Sequence, residues 1–419
     1  MKKNTRIAII CSVSVICLAA LIFGIIFGVK KSRRQKEIEY NRVAVGFFDI
    51  SQAQQAAFSQ LIEQTKGDKT FTIEFYEIDR TKDFSKQIAD NKINLILAPA
   101  GFAVQKAVDA AAENTEISAD TTGGMFSSMR QLVISKDEKL KAIPLIFDNL
   151  EIDIEFSAFK MSGLERIATW DDIEQFEQIQ KAAGVFPLSF AGAESDFLID
   201  LLGALGEALD GYEAYVKAAD ILKAAVQAKK DGEPFDAAVI AKKIFIDPDA
   251  PLPYSAYYLK QLVKKGYLAS SSRDLVHNDI NSYIQQRVTK SFFTTLSVHR
   301  TYDTKAVSRF STIYVPSKNS ANQRHFTATA TYAVPLTKNE NVEYVIEQLV
   351  QADNQAELSQ ITGLAPVLAN CRTPDQQADD ARYWIAATNA PVAGLSREAE
   401  LTEAELQALA DEIRVMVFY

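Results

Sequence analysis

Between residues 43 and 101 the chain alternates strand and helix, and this constrains its fold more than any other feature. "RVAVGFFDI" reads as a buried strand ending near Phe48. "SQAQQAAFSQLIEQTKG" follows as a helix, with Ala57, Leu61 and Ile62 on one face and Gly67 as its stop. "FTIEFYEI" alternates apolar and polar residues as a strand does, "RTKDFSKQIADN" is helical, and "INLILAPAG" is a second buried strand closed by a Pro/Gly turn. Helices placed between apolar strands imply crossover connections and a parallel sheet, hence an α/β fold. Ligands of such sheets bind beyond the carboxyl ends of the strands, here residues 47–51, 78–80 and 99–102.

The chain's 419 residues suffice for two cores of ordinary size. Residues 200–230 are richly helical, and "SAYYLKQLVKKGYL" and "DINSYIQQRV" predict further helices. A strand-like "SFFTTLSV" follows, then a stretch rich in Ser, Thr and Asn. "NVEYVIEQLVQA" and "LTEAELQALADEIRVMV" return to helix, the second opened by a capping box of Thr402 and Glu405. "ATWDDIEQF" (168–176) is another helix start. Thr169 is its N-cap, Asp172 completes the box, and both Asp171 and Asp172 suit the positive end of the dipole. Trp170 is placed to pin that first turn against a neighbouring element.

Residues 7–29, "IAIICSVSVICLAALIFGIIFGV", are 23 positions without a charge. As a helix they span roughly 34 Å at about 1.5 Å per residue, enough to cross a bilayer core. No small-x-small cleavage site ends the run, and Cys17 lies inside it rather than closing it, so the expectation is an uncleaved single-pass anchor. A tail of residues 1–6 precedes it and a basic linker, 30–42, follows. Residues 1–36 hold eight Lys/Arg and no acid, whereas the remainder carries 37 basic and 54 acidic residues. An acidic domain of this kind repels phosphate backbones, so nucleic acid is not expected as a partner. Basic residues on both sides of the anchor leave its orientation open, with the count favouring a cytoplasmic domain.

Motifs of chemistry are scarce. The three histidines, His277, His299 and His325, form no H-E-x-x-H pair, and there is no nucleophile elbow, Walker A loop or G-x-G-x-x-G turn. "DPDAPLP" (247–253) reads as a loop rather than a carboxylate metal site. Cys371 stands alone outside the apolar run, which excludes a disulfide there. Neither an enzyme, a cofactor nor a metal is expected.

The order of several segments carries a resemblance. "IPLIFDNLEIDIEFSAFKMSGLERIATWDDIEQF" (143–176) resembles the crossover region of sugar-type extracellular solute-binding proteins of bacterial ABC importers, with "FSAFKMSGL" as its strand-to-helix part and "ATWDDI" as its Thr-Trp motif. "VFPLSFAGAESDFLIDLLGALG", "LKQLVKKGYL" and "YAVPLTKNENVEYVIEQLVQADNQAELSQITGLAPV" resemble later family segments in family order, so the likeness covers about residues 43–370. The chain departs from the family at "QQRVTKSFF", where Gly-Lys-Ala-Ala-Met is usual, and in having no lipobox.

The resemblance implies a two-lobed periplasmic-binding-protein-like fold with hinge crossovers near 147–153, 286–292 and 330–337. The first lobe would take residues 43–146 plus 291–332, the second, helix-rich lobe 150–288 plus 336–419. It also implies a small polar solute, a carbohydrate, held between the lobes and delivered to ABC permease subunits, with the large domain exocytoplasmic on the cell membrane. The alternative is a tethered interaction or sensory protein that keeps the fold without transport. Implied ligand contacts are Phe47, Phe48, Asp49 and Ser51 at the first strand end, Gly101 and Phe102 at the third, and Asp148 at the crossover. Ala191, Gly192 and Ser195 follow from the second lobe, and His299, Arg300 and Tyr302 after the late strand. Alternation buries one of Phe47 and Phe48, Asp49 could equally cap the next helix, and His299 and Arg300 could equally be a solvated pair.

Overall fold

The computed structural model describes residues 41–182, 187–318 and 324–419. The expected anchor at 7–29, the tail at 1–6 and most of the linker lie outside the described residues. Among those described, no helix is long and apolar enough to cross a membrane.

The strands are β1 (Arg42–Phe48), β2 (Thr72–Ile78), β3 (Leu95–Pro99), β4 (Ile134–Lys136), β5 (Lys139–Glu155), β6 (Leu188–Ser189), β7 (Ser291–Thr295), β8 (Phe310–Tyr314), β9 (Ala328–Pro335) and β10 (Ala365–Pro366). β1 pairs in parallel with β2 on one side and β3 on the other, as the sequence predicts. Central β1 is buried nearly throughout while edge strand β2 keeps an exposed face, which explains one continuous apolar run beside one alternating run. The helices Gln52–Thr65 and Phe84–Asn91 are the crossovers, N-capped by the side chains of Ser51 and Asp83. Ala57, Phe58, Leu61 and Ile62 of the first bury against the sheet.

β5 organises the molecule. Over its 17 residues it serves two sheets. Residues Ile143 to Asn149 pair antiparallel with β9, which completes the order β2-β1-β3-β9-β5. Residues Leu150 to Glu155 lie between β7 and β8, and β6 pairs in parallel with β7. Two cores follow. One contains Phe58, Leu61, Ile96, Phe147 and Ile346; the other contains Trp170, Phe176, Leu205, Phe292 and Ile413. Each is a lobe, and β5 is a direct, hydrogen-bonded link between them.

The lobes are assembled from other segments than the sequence reading expects. β7 and β8, within the 291–332 stretch expected in the first lobe, belong to the second sheet. The helices Glu340–Leu349, Ala352–Thr362 and Gln376–Ala386, expected in the second lobe, pack on the first, where Val342, Val345, Leu358 and Ala381 join its core. Only from Val392 does the chain return to the second core. The crossings therefore fall within β5 at about 149–150, between β8 and β9, and between Ala386 and Val392. Periodicity fixes which face of a strand or helix is apolar but not which sheet receives it. "SFFTTLSV" is a strand as read, and its neighbour is what the pattern leaves open.

The opening of the helix Trp170–Ala182 is built as expected. The Asp172 carboxylate accepts from the Ala168 and Thr169 N–H groups at 2.9 and 2.8 Å, and Thr169 Oγ1 accepts from the Asp172 N–H. The Trp170 ring is buried edge-on to Tyr258 and the residue's backbone N–H donates to the Ser317 carbonyl at 3.0 Å, so it pins the turn to the second lobe. The Thr402–Glu405 box likewise starts the last helix, Glu403–Phe418.

Candidate functional site

A cavity of about 330 Å³ lies between the lobes at the carboxyl ends of β1 and β3 and beside the hinge in β5. The first lobe contributes Asp49, Ser51, Pro99, Thr329 and Thr331 of β9, and Thr327 just before that strand. The second contributes the amino-terminal part of the helix Ser195–Asp210 (Asp196, Phe197, Asp200), with Glu194, His277 and Arg397. Asp148 and Leu150 of β5 and Thr295, Ser297 and Val298 close the hinge side. Two helix amino termini, those after Ser51 and Glu194, meet this space, as strand-to-helix turns of an α/β sheet dictate.

Hydroxyls and carboxylates dominate the lining. Five acids, Asp49, Asp148, Glu194, Asp196 and Asp200, face one arginine, Arg397. Asp148 accepts from the Ser297 N–H at 2.8 Å and its hydroxyl at 2.5 Å; burial nevertheless pushes its pKa above the ordinary range. Burial pushes Asp200 up to about 7, opposed by the Arg397 charge and by the Ser396 N–H, which donates to it at 2.7 Å. Desolvation lowers His277 to about 4, so its imidazole is neutral at pH 7, edge-on to Phe197. The Thr327 hydroxyl is buried without a protein partner. Such a wall offers acceptors and hydroxyls to a solute rich in O–H groups and disfavours an anion.

The second-lobe segment around Arg397 and Leu401 clasps the first lobe. Arg397 lies 3.3 Å from the Asp49 carboxylate, and Arg80 contacts the same carboxylate at 3.5 Å. Arg80 also donates to the Leu401 carbonyl at 2.5 Å, and Lys106 pairs with Glu400. These contacts hold the two walls of the cleft together.

The sequence-predicted residues divide. Asp49, Ser51 and Asp148 line the cleft. Asp49 adopts φ 59° at the end of β1, so it is a turn residue aimed across the cleft, while Ser51 is the cap of the next helix. Phe47 and Phe48 are both core: Phe47 stacks on Phe75, and Phe48 packs against Phe84 and Phe102. Gly101 and Phe102 sit behind the clasp, with the Arg80 guanidinium 4.4 Å from the Phe102 ring centre. Ala191 is buried in the second core, and the Gly192 carbonyl accepts from Arg414. Ser195 donates to Gln407 rather than facing the cleft. Tyr302 is buried against Phe292. Arg300 is held by the Gly363 carbonyl and Asp375, and His299 by Asp153, on the opposite face of β5. For His299, Arg300 and Tyr302 the cause is the segment after β7: it follows the second sheet, and its short helix, Leu296–His299, turns Ser297 and Val298 rather than His299 to the cleft.

Several cleft residues escaped the sequence reading. Thr327, Thr329 and Thr331 were legible as a period-two threonine face in "TATATYAV". Asp196 and Asp200 stand one helical turn apart at the start of a helix otherwise read correctly. Arg397 carried no signal beyond the Gly394 that precedes its turn at φ 106°.

No protein-family model matches the sequence, and no curated protein matches it. Solved structures do resemble it. The bacterial solute receptor AcbH, described as exclusively preferring β-D-galactopyranose, superposes with a TM-score of 0.66 at 15% identity, covering 89% of this chain and 96% of its own. A putative binding protein MsmE from Bacillus subtilis gives 0.61 at 13% identity, over 90% and 93% of the two chains. A sugar transporter from Bacillus licheniformis in complex with stachyose gives 0.57 at 12%, over 89% and 94%. With two sheets joined through one hinge strand and a cleft at the strand ends, the chain has the two-lobed α/β fold of bacterial solute-binding receptors.

Proposed function

We propose that the protein captures a small neutral polyhydroxylated solute, a carbohydrate, in the interlobe cleft and presents it to an ABC-type permease. The observation that carries this reading is the cleft itself: hydroxyls and carboxylates from both lobes converge on one space beside the hinge. Carboxylates accept in pairs from vicinal hydroxyls, and Thr327 keeps an unpaired donor for a solute oxygen. A volume of about 330 Å³ is at the small end of ligand pockets, which suits one or two sugar rings. Phe197 supplies one apolar face for a ring. The similar receptor that prefers galactopyranose and the similar sugar transporter protein solved with stachyose support the same class. The similar solved structures are binding receptors, which supports binding rather than turnover as the activity.

The role of each lining residue, and the anchor at 7–29 with the domain outside the cell membrane, belong to this proposal. A receptor must meet its solute before the permease does, and this outweighs the basic residues behind the apolar run. The test is calorimetric titration of the full-length protein with a panel of mono- and oligosaccharides. Saturable 1:1 binding of at least one neutral sugar, weakened tenfold or more in Asp148→Asn, is the expected result. Binding of none, or binding indifferent to Asp148→Asn and Thr327→Val, overturns it. A carboxyl-terminal reporter active only in the cytoplasm would overturn the orientation.

A further inference from the structure

Behind the hinge, on the face of β5 opposite the second-lobe core, lies a cluster that solute binding does not use. Alternation sends Leu150, Ile152 and Ile154 into the core and Glu151 and Asp153 to the other face. That face is covered as well, so both carboxylates are fully buried. His299 Nδ1 stands 2.9 Å from Asp153 Oδ2 and 3.6 Å from Glu151 Oε1. The three ligand-type atoms all lie within 4.8 Å of one another. Thr312 donates to Asp153 Oδ1 at 2.6 Å, and Gln377 Nε2 lies 2.5 Å from Glu151 Oε1 and 3.0 Å from His299 Nδ1. The other oxygen of the Glu151 carboxylate, Oε2, is buried with no partner. No Lys or Arg bonds to either acid, and nearby Arg300 is committed to Gly363 and Asp375. Two buried carboxylates beside a single imidazole are costly without a cation.

We propose that Glu151, Asp153 and His299 form a zinc-type divalent cation site at the hinge. Four-coordinate zinc with bonds of about 2.0–2.2 Å sets its ligand atoms about 3.3–3.6 Å apart. The observed 2.9 and 3.6 Å bracket that spacing before any adjustment. One imidazole nitrogen and two carboxylates are a donor set for zinc, whereas calcium takes six to eight oxygens. Rotating the Gln377 carboxamide exchanges its nitrogen for an oxygen acceptor, which supplies a fourth ligand. Glu151, Asp153 and His299 are buried, and half-buried Gln377 marks the side from which a cation would enter. Because Gln377 rides on a helix of the first lobe and Glu151 and Asp153 on the second sheet, a bound cation fastens the lobes together beside their hinge.

The test is calorimetric titration of chelator-treated full-length protein with zinc chloride alone, with cobalt(II) absorption as the report of coordination. One equivalent of zinc taken up, a four-coordinate cobalt spectrum, and no uptake of calcium at the same concentration are expected. Glu151→Gln and His299→Asn should each weaken zinc binding at least tenfold, while His325→Asn, at a distant histidine, leaves it unchanged. Circular dichroism establishes that each variant is folded, and the wild-type titration decides the matter even where one is not. Absence of stoichiometric uptake by the wild type, or uptake equal in Glu151→Gln and His299→Asn, overturns the site.

Discussion

Gly101 and Arg397 approach so closely that a Cβ on Gly101 would lie 2.1 Å from the Arg397 carbonyl oxygen. Gly101 also has φ 94°, a conformation that L side chains rarely adopt. The two residues belong to opposite lobes, so the glycine is what lets the clasp seat. Gly101→Ala should hold the lobes apart. We expect a larger radius of gyration by small-angle scattering and sugar affinity lowered at least tenfold, together with a first lobe destabilised by the strained backbone at position 101. Unaltered scattering together with unaltered affinity would show that the clasp does not set closure.

The Lys106–Glu400 pair ties closure to pH. Burial alone would raise the Glu400 pKa, but the hydrogen bond and charge of Lys106, and then Lys230, hold it below its ordinary value. A depressed carboxyl stabilises the closed form above its unfolded pKa of about 4.3 and loses that contribution as pH falls through the lower folded value. Acidification from pH 5 to pH 3 should therefore loosen the wild type, and Glu400→Gln should remove that part of the dependence. A hydrogen-exchange profile of residues 397–401 identical for both proteins at both pH values would count against this.

Glu177 works in the opposite direction. It is fully buried, receives one hydrogen bond from Ser291 Oγ at 2.6 Å, and is pushed up to about 8 by burial. A raised carboxyl contributes fully below its unfolded pKa, and that contribution is lost as pH rises toward the folded one. The wild type should lose melting temperature between pH 5 and pH 8 relative to Glu177→Gln, which cannot ionise. Parallel melting curves across that range would refute the assignment.

Arg324 and Glu207 form a buried pair, at 2.7 Å, that ties the helix Ser195–Asp210 to the segment entering β9. Arg324 also donates to the Val315 carbonyl at 2.6 Å. Removing one partner strands a buried charge, so Arg324→Met should cost about 3–5 kcal/mol in a denaturant titration. The double variant Arg324→Met, Glu207→Leu should recover much of that loss. Equal stability of wild type and single variant would show the pair to be incidental.

Within the cleft, the free Thr327 hydroxyl gives the mildest test. A neutral hydrogen bond contributes about 0.5–1.5 kcal/mol, so Thr327→Val should weaken the bound sugar about two- to tenfold. Stability should hold or rise, because an unpartnered buried hydroxyl is removed. A Thr327→Val protein that binds sugar as the wild type does would place the solute elsewhere in the cleft.

Local chemistry was written in the residues themselves. The β1, β2 and β3 strands, the Asp172 and Glu405 capping boxes and the buried Trp170 all follow from short-range spacing, because neighbours in sequence enforce them. Asp49, Ser51 and Asp148 reached the cleft because strand ends and a hinge crossing are local events too. The ownership of β7, β8 and the late helices was decided only in three dimensions. An apolar strand is satisfied by either sheet, and long-range pairing selects one. That choice carried His299 and Arg300 to the far face of β5 and brought Arg397, nearly 350 positions away, onto Asp49. Sequence periodicity thus determined which faces are buried, whereas the packing of two lobes around one strand determined which polar groups meet.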